Sequence, residues 1–141
     1  MRLVKEFEVK KPRERAVAVV CEDATLVGLF PGTETEIVET KGDRKTARSR
    51  YTVLGREGEA TFHFRFGQGG DVTFEKVCDG RVWRRLDGTL SFESAGKSKT
   101  VVRIEMEGKT KGLVPEFTIK GPMQEQIEQM ATALRQRIES A

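Results

Sequence analysis

Turn signals recur at short intervals through the middle of this 141-residue chain: Lys41-Gly42-Asp43, Gly55-Arg56-Glu57-Gly58, Gly67 to Gly70, Asp79-Gly80 and Ser94-Ala95-Gly96. Each separates stretches of strand character. Links this short join only antiparallel neighbours, because a parallel crossover needs a dozen residues or more. Asp79-Gly80 suits a two-residue hairpin turn, which requires positive φ. The expected product is a six-stranded meander over about 35–41, 43–54, 58–66, 71–78, 81–93 and 99–109, with a further strand near 2–10.

The flanks of the meander have a different period. Pro12 is expected to open a short helix through Val20, and Asp23 to cap a second one carrying Leu26, Val27, Leu29 and Phe30, which Pro31-Gly32 ends. After the last strand, Met123, Ile127, Met130, Leu134 and Ile138 recur at spacings of four, three, four and four. That places all five on one face of a helix over Pro122 to Ser140, with a polar opposite face, so this helix must lie across something apolar. Leu113 to Lys120, LVPEFTIK, reads as irregular, extended or an extra helical turn.

Alternation along the strands assigns their two faces. In Phe62-His63-Phe64-Arg65-Phe66 the three phenylalanines point one way and His63 and Arg65 the other. The same parity puts Ala47, Ser49, Tyr51, Val72, Phe74, Leu86, Leu90, Phe92, Val102, Ile104 and Met106 on the inner face. Trp83 has the opposite parity to Leu86, Leu90 and Phe92. Either a bulge near Arg84-Arg85 restores it to the inside, or Trp83 lies outside and Arg84 points in as a polar anchor. A stripe of Phe, Ile and Met at these spacings also makes plain core, so pattern alone leaves a filled interior and a pocket both open.

Composition narrows the function classes. With 37% hydrophobic and 33% charged residues the chain is a globular one, expected to form a single domain over 1–141. Its longest clearly apolar stretch, Ala16 to Cys21, is far below the roughly 20 residues that span a bilayer. The charged amino terminus lacks a secretory pattern, and a cytoplasmic protein with two free thiols, Cys21 and Cys78, is expected. The net charge of +3 comes from 25 basic and 22 acidic side chains, interleaved, unlike the one-sided charge of nucleic-acid domains. Arg44, Lys45, Arg48 and Arg50 form one basic cluster, expected on the outer face with Arg65 and Arg103 and salt-bridged there across strands to the interleaved Glu57, Glu75 and Glu105.

Little in the sequence points to catalysis. His63, the only histidine, falls on the outer parity; Tyr51 and Ser49 are inner hydroxyls able to donate to a bound carbonyl. No histidine or cysteine set has metal-ligand spacing, and no cofactor is implied. Gly67-Gln68-Gly69-Gly70 is followed by no helix or Lys-Ser/Thr pair and is expected to be a hairpin rather than a phosphate loop.

The order strand, two short helices, six antiparallel strands and long terminal helix resembles the helix-grip fold of the START/polyketide-cyclase superfamily, which includes the birch-pollen-allergen-like proteins. The resemblance is carried by PRERAVAVVCEDATLVGLFPG, similar to that superfamily's two-helix crossover, by VWRRLDGTLSFES, and by Gly121 to Ile138. It implies an α+β fold in which a seven-stranded curved sheet wraps the last helix around a cavity for lipids, quinones or polyketides. The expectation is therefore a binder of a small hydrophobic molecule, without nucleic-acid partner or integral membrane association. Its site residues would be Tyr51, Phe62, Phe64, Phe66, Phe74, Leu90, Phe92, Ile104, Met106, Met123, Ile127, Met130 and Leu134, with Arg84 as an anchor. A cyclase, aromatase or dehydratase is the first alternative, and an interaction module with a filled core the second.

Overall fold

The computed structural model describes residues 1–53, 55–78 and 82–141; the expected Asp79-Gly80 turn falls outside them. Seven strands form one antiparallel sheet: β1 (Arg2–Val9), β2 (Glu34–Lys41), β3 (Arg44–Val53), β4 (Arg56–Phe66), β5 (Val72–Lys76), β6 (Trp83–Ser94) and β7 (Thr100–Thr110). Their order across the sheet is β1-β7-β6-β5-β4-β3-β2, a meander to which β1 adds as the edge beside β7. Helices α1 (Arg13–Val20) and α2 (Asp23–Val27) cross from one edge strand to the other, and α3 (Phe117–Glu139) closes the chain.

The sheet bends because glycines sit mid-strand beneath aromatic rings. Gly58, Gly88 and Gly108 pair across strands with Tyr51, Phe74 and Leu86. The Tyr51 ring covers Gly58, the Phe74 ring covers Gly88, and the Trp83 ring covers Gly108. A Cβ at Gly108 would lie 2.5 Å from the Trp83 ring, so the missing side chain is what admits the indole. Glycine on the concave face thus lets the strands curl and makes room for rings that a flat, filled sheet would exclude.

Two local predictions are settled by a bulge and by packing. The register of β6 slips between Trp83 and Arg85, so Trp83 turns inward, 7% exposed, while Arg84 is exposed to solvent. Helix α3 begins at Phe117, about one turn earlier than Pro122, because Ile119 packs against the core and draws the first turn into helix. Asp23 does not cap α2 through its side chain; Glu22 holds the cap position and the Asp23 carboxylate accepts a hydrogen bond from Lys45 Nζ at 2.6 Å.

Helix α3 runs along β1 and is tied to the amino-terminal third of the chain at four levels. The Met1 amino group approaches Glu116 at 3.4 Å, Lys5 Nζ meets Glu128 at 3.1 Å, and the Lys10 N–H donates to Glu139 at 3.0 Å. Arg137 reaches Glu22 at 3.1 Å and the Thr25 hydroxyl at 3.3 Å. Lys5, which breaks the apolar alternation of β1, has the inner parity and spends its charge on the helix. Between these ties Met123, Ile127, Met130, Leu134 and Ile138 are buried, each apolar side chain contributing roughly 1.5–3 kcal/mol.

Candidate functional site

The concave face of the sheet, α3 and the segment following α2 enclose the region where the expected site residues meet. Phe62, Phe64, Phe74, Leu90, Phe92, Ile104 and Met106 from the sheet, and Met123, Ile127, Met130 and Leu134 from the helix, are all buried. Tyr51 and Phe66 are half-buried. Arg84 is the exception: the bulge in β6 turns it to solvent, which removes it as an anchor within the apolar space.

The sequence reading missed Phe30. Its ring stacks on Phe62 with centroids 4.5 Å apart and meets the edge of Phe74 at 6.2 Å, while Phe64 and Phe74 stand 6.0 Å apart. Four phenylalanines from three parts of the chain therefore form one cluster, with Phe30 inserted from the loop between α2 and β2. Such arrangements contribute beyond simple area burial. The available signal was an aromatic residue directly before Pro31-Gly32, a turn that fixes where the chain reverses.

A chain of hydroxyls lies at the β2–β3 end. The Thr33 hydroxyl donates to the Phe30 carbonyl at 2.7 Å and lies 3.0 Å from the Thr35 hydroxyl, which in turn lies 2.7 Å from that of Ser49. An open cleft of about 790 Å³ adjoins this end, lined by Gly32, Glu34, Arg50, Tyr51, Glu57, Gly58 and Glu59 among others. A smaller cleft of about 320 Å³ opens between α2 and α3, with Leu29 and Leu134 beneath Thr25 and Arg137.

Two ionisable side chains on the inner parity, Lys5 and Lys45, are engaged elsewhere, and a third, the half-buried Lys76, stands opposite Phe62 at the end of β5. Lys45 shares the parity of Ala47 and Ser49, so it does not join the outer basic cluster. Its ammonium bonds the Cys21 carbonyl at 3.0 Å and Asp23, 5.4 Å from the centre of the Phe66 ring. Burial pushes the Cys21 thiol up, against the lowering effect of the Lys45 charge, which disfavours the nucleophilic thiolate. His63 lies on the outer side, its Nδ1 2.9 Å from the Thr46 hydroxyl. On that face Arg50 pairs with Glu59 at 3.3 Å and Arg44 with Glu39 at 3.0 Å; of the acidic partners expected, Glu105 meets Arg103 at 3.6 Å. Among the described residues no group of three or more acidic, histidine or cysteine side chains is placed to hold a metal ion, and both cysteines are free thiols.

No protein-family model and no curated protein matches this sequence. Solved structures do match its fold over almost its whole length. A START superfamily protein from Mycobacterium smegmatis aligns with TM-score 0.79 at 18% identity, over 99% of this chain and 97% of that one. The Zhui aromatase/cyclase from Streptomyces sp. R1128 aligns with TM-score 0.77 at 12% identity, over 99% and 92%. The norcoclaurine synthase of Thalictrum flavum aligns with TM-score 0.74 at 20% identity, over 98% and 93%. The chain has the helix-grip fold of the START/polyketide-cyclase superfamily. Among the described residues no helix is long and apolar enough to cross a membrane.

Proposed function

We propose that the protein binds a small, predominantly apolar molecule between the concave sheet face and α3. The observation that carries this reading is the distribution of chemistry over that face. Phenylalanines, methionines and large aliphatics occupy its centre, and the hydroxyls of Tyr51, Ser49 and Thr35 gather at one end, while that of the buried Thr100 is taken up by the Lys11 carbonyl. A site of that composition suits a ligand with an apolar body and one carbonyl or hydroxyl. The likeness to a START protein and an aromatase/cyclase supports the fold-level part of the reading. Since Phe30 occupies space against Phe62 and Phe74, binding requires its ring to swing aside.

Catalysis of the cyclase type is the second reading, and the half-buried Tyr51 at the cleft favours it as a hydrogen-bond donor to a substrate carbonyl. Non-catalytic binding is preferred because general acid–base chemistry needs an ionisable group within reach of the reacting atom; Lys5 and Lys45 are held in ion pairs, and Lys76 lies at the end of β5 opposite Phe62.

Native mass spectrometry of protein purified from its own host tests the proposal. A co-purifying hydrophobic mass, released by organic solvent and exchangeable with an added quinone or fatty acid, is the expected result. Protein that carries no such mass and takes up neither compound contradicts it.

A further inference from the structure

Six large hydrophobic residues are exposed among those described, and four of them lie at one end of the molecule. Val77 follows β5, Val82 precedes β6, and Leu113 and Phe117 occupy the link from β7 into α3. The Lys111 N–H donates to the Val82 carbonyl at 2.9 Å, which joins the β6 and β7 sides of this end. Leu113 is 91% exposed and Phe117 81%, in a chain that buries most of its other phenylalanines.

The two side chains stand on an ordered frame. The Val114 N–H donates to the Lys111 carbonyl at 2.8 Å, closing a turn with Leu113 near its apex. The Thr110 hydroxyl donates to the Val114 carbonyl at 2.8 Å, and that of Thr118 to the Pro115 carbonyl at 2.7 Å. Around them Lys109, Lys111 and Lys120 are exposed, and none pairs with an acidic side chain among the described residues. The one acidic residue of the segment, Glu116, faces the Met1 amino group.

We infer that this end of the molecule docks on an anionic lipid bilayer, with Leu113 and Phe117 entering the headgroup–acyl boundary and the three lysines meeting lipid phosphates. Apolar tips rimmed by lysines without an acidic partner among the described residues match the two-part chemistry of such a surface, apolar below and negative at the plane. A second copy of the chain fits less well. A two-fold contact through this patch would set the lysine rim against itself. The inference does not depend on the proposed ligand, although a binder of apolar molecules placed at a bilayer would have direct access to them.

Vesicle co-sedimentation of the full chain tests it, using phosphatidylcholine alone and with about 30 mol % phosphatidylserine. Wild-type protein should sediment with the anionic vesicles and lose much of that binding at about 0.5 M salt, where charges are screened beyond a few ångströms. The double variant Leu113→Ser/Phe117→Ser should bind about tenfold more weakly or worse. Lys109→Gln/Lys111→Gln/Lys120→Gln should remove the preference for phosphatidylserine. Since all five side chains are exposed, the variants should keep the wild-type circular dichroism and melting curve. Wild-type protein that ignores anionic vesicles, or a double variant that binds them equally well, overturns the inference. So does light scattering that finds a wild-type dimer split by Leu113→Ser/Phe117→Ser without any vesicle binding.

Discussion

Phe30 stacks on Phe62 at 4.5 Å, with the ring planes inclined by 23°. This contact joins the loop after α2 to the middle of β4 and covers part of the concave face. Its removal should separate two effects, since the ring both stabilises the fold and fills the proposed site. Phe30→Ala should cost about 3–5 kcal/mol in urea denaturation, the usual range for a buried phenylalanine. At temperatures where near-ultraviolet circular dichroism still reports native packing, the variant should bind an apolar naphthalene dye more tightly than wild type. Unchanged or weaker dye binding would mean that Phe30 does not guard the site.

Gly88 and Gly58 lie under aromatic rings but differ in what could yield. A Cβ at Gly88 would collide with the Phe74 ring and meet the Glu105 backbone carbonyl at 2.9 Å, and the carbonyl cannot move without breaking the β6–β7 ladder. At Gly58 the nearest atoms it would meet all belong to Tyr51, at 2.6 Å, and that ring is half-buried and able to rotate away. Gly88→Ala should therefore destabilise by about 1–3 kcal/mol through overpacking, and Gly58→Ala by clearly less. Thermal melts of the two variants provide the comparison; equal losses would show that the rings, rather than the backbone, limit the curvature.

Glu105 is held below the ordinary carboxylate range, first by the hydrogen bond from Arg2 Nε at 2.6 Å; desolvation opposes it, and the charges of Arg2 and Arg103 add smaller lowering effects. A carboxylate depressed in the folded state contributes stability above its unfolded value, near 4.5, and that contribution is lost as pH falls through the lower folded value. Glu105→Gln removes the contribution at every pH. The melting temperatures of wild type and variant should accordingly differ at about pH 7 and converge toward about pH 3. A difference that persists unchanged into acid would assign the stabilisation to something other than the ionised carboxylate.

Much of this architecture is legible in the residues because its determinants are local. Phe62, Phe64 and Phe66 alternate with His63 and Arg65, and a period of two fixes their face whatever lies around them. The stripe from Met123 to Ile138 fixes the buried side of α3 in the same way. Features set by distant contacts are hidden. Trp83 turns inward through a bulge that parity allows but does not select. Residues 117–121 become helix although Gly121 and Pro122 read as a start, because Ile119 finds the core. Phe30 looks like the end of a short helix until β4 supplies Phe62 as its partner, so this member of the aromatic cluster could not be read from spacing.

The four methionines of the chain provide the most direct measurement of the proposed function. Met106, Met123 and Met130 are buried, on the concave face and on the buried side of α3, whereas Met1 lies at the sheet edge with its amino group 2.9 Å from the Gly108 carbonyl. Methyl-selective NMR of protein carrying labelled methionine, titrated with a naphthoquinone, should shift the Met106, Met123 and Met130 methyl signals in a saturable manner and move Met1 least. Saturable binding that leaves those three signals in place, or no binding of any apolar compound tested, would contradict a ligand site between the sheet and α3.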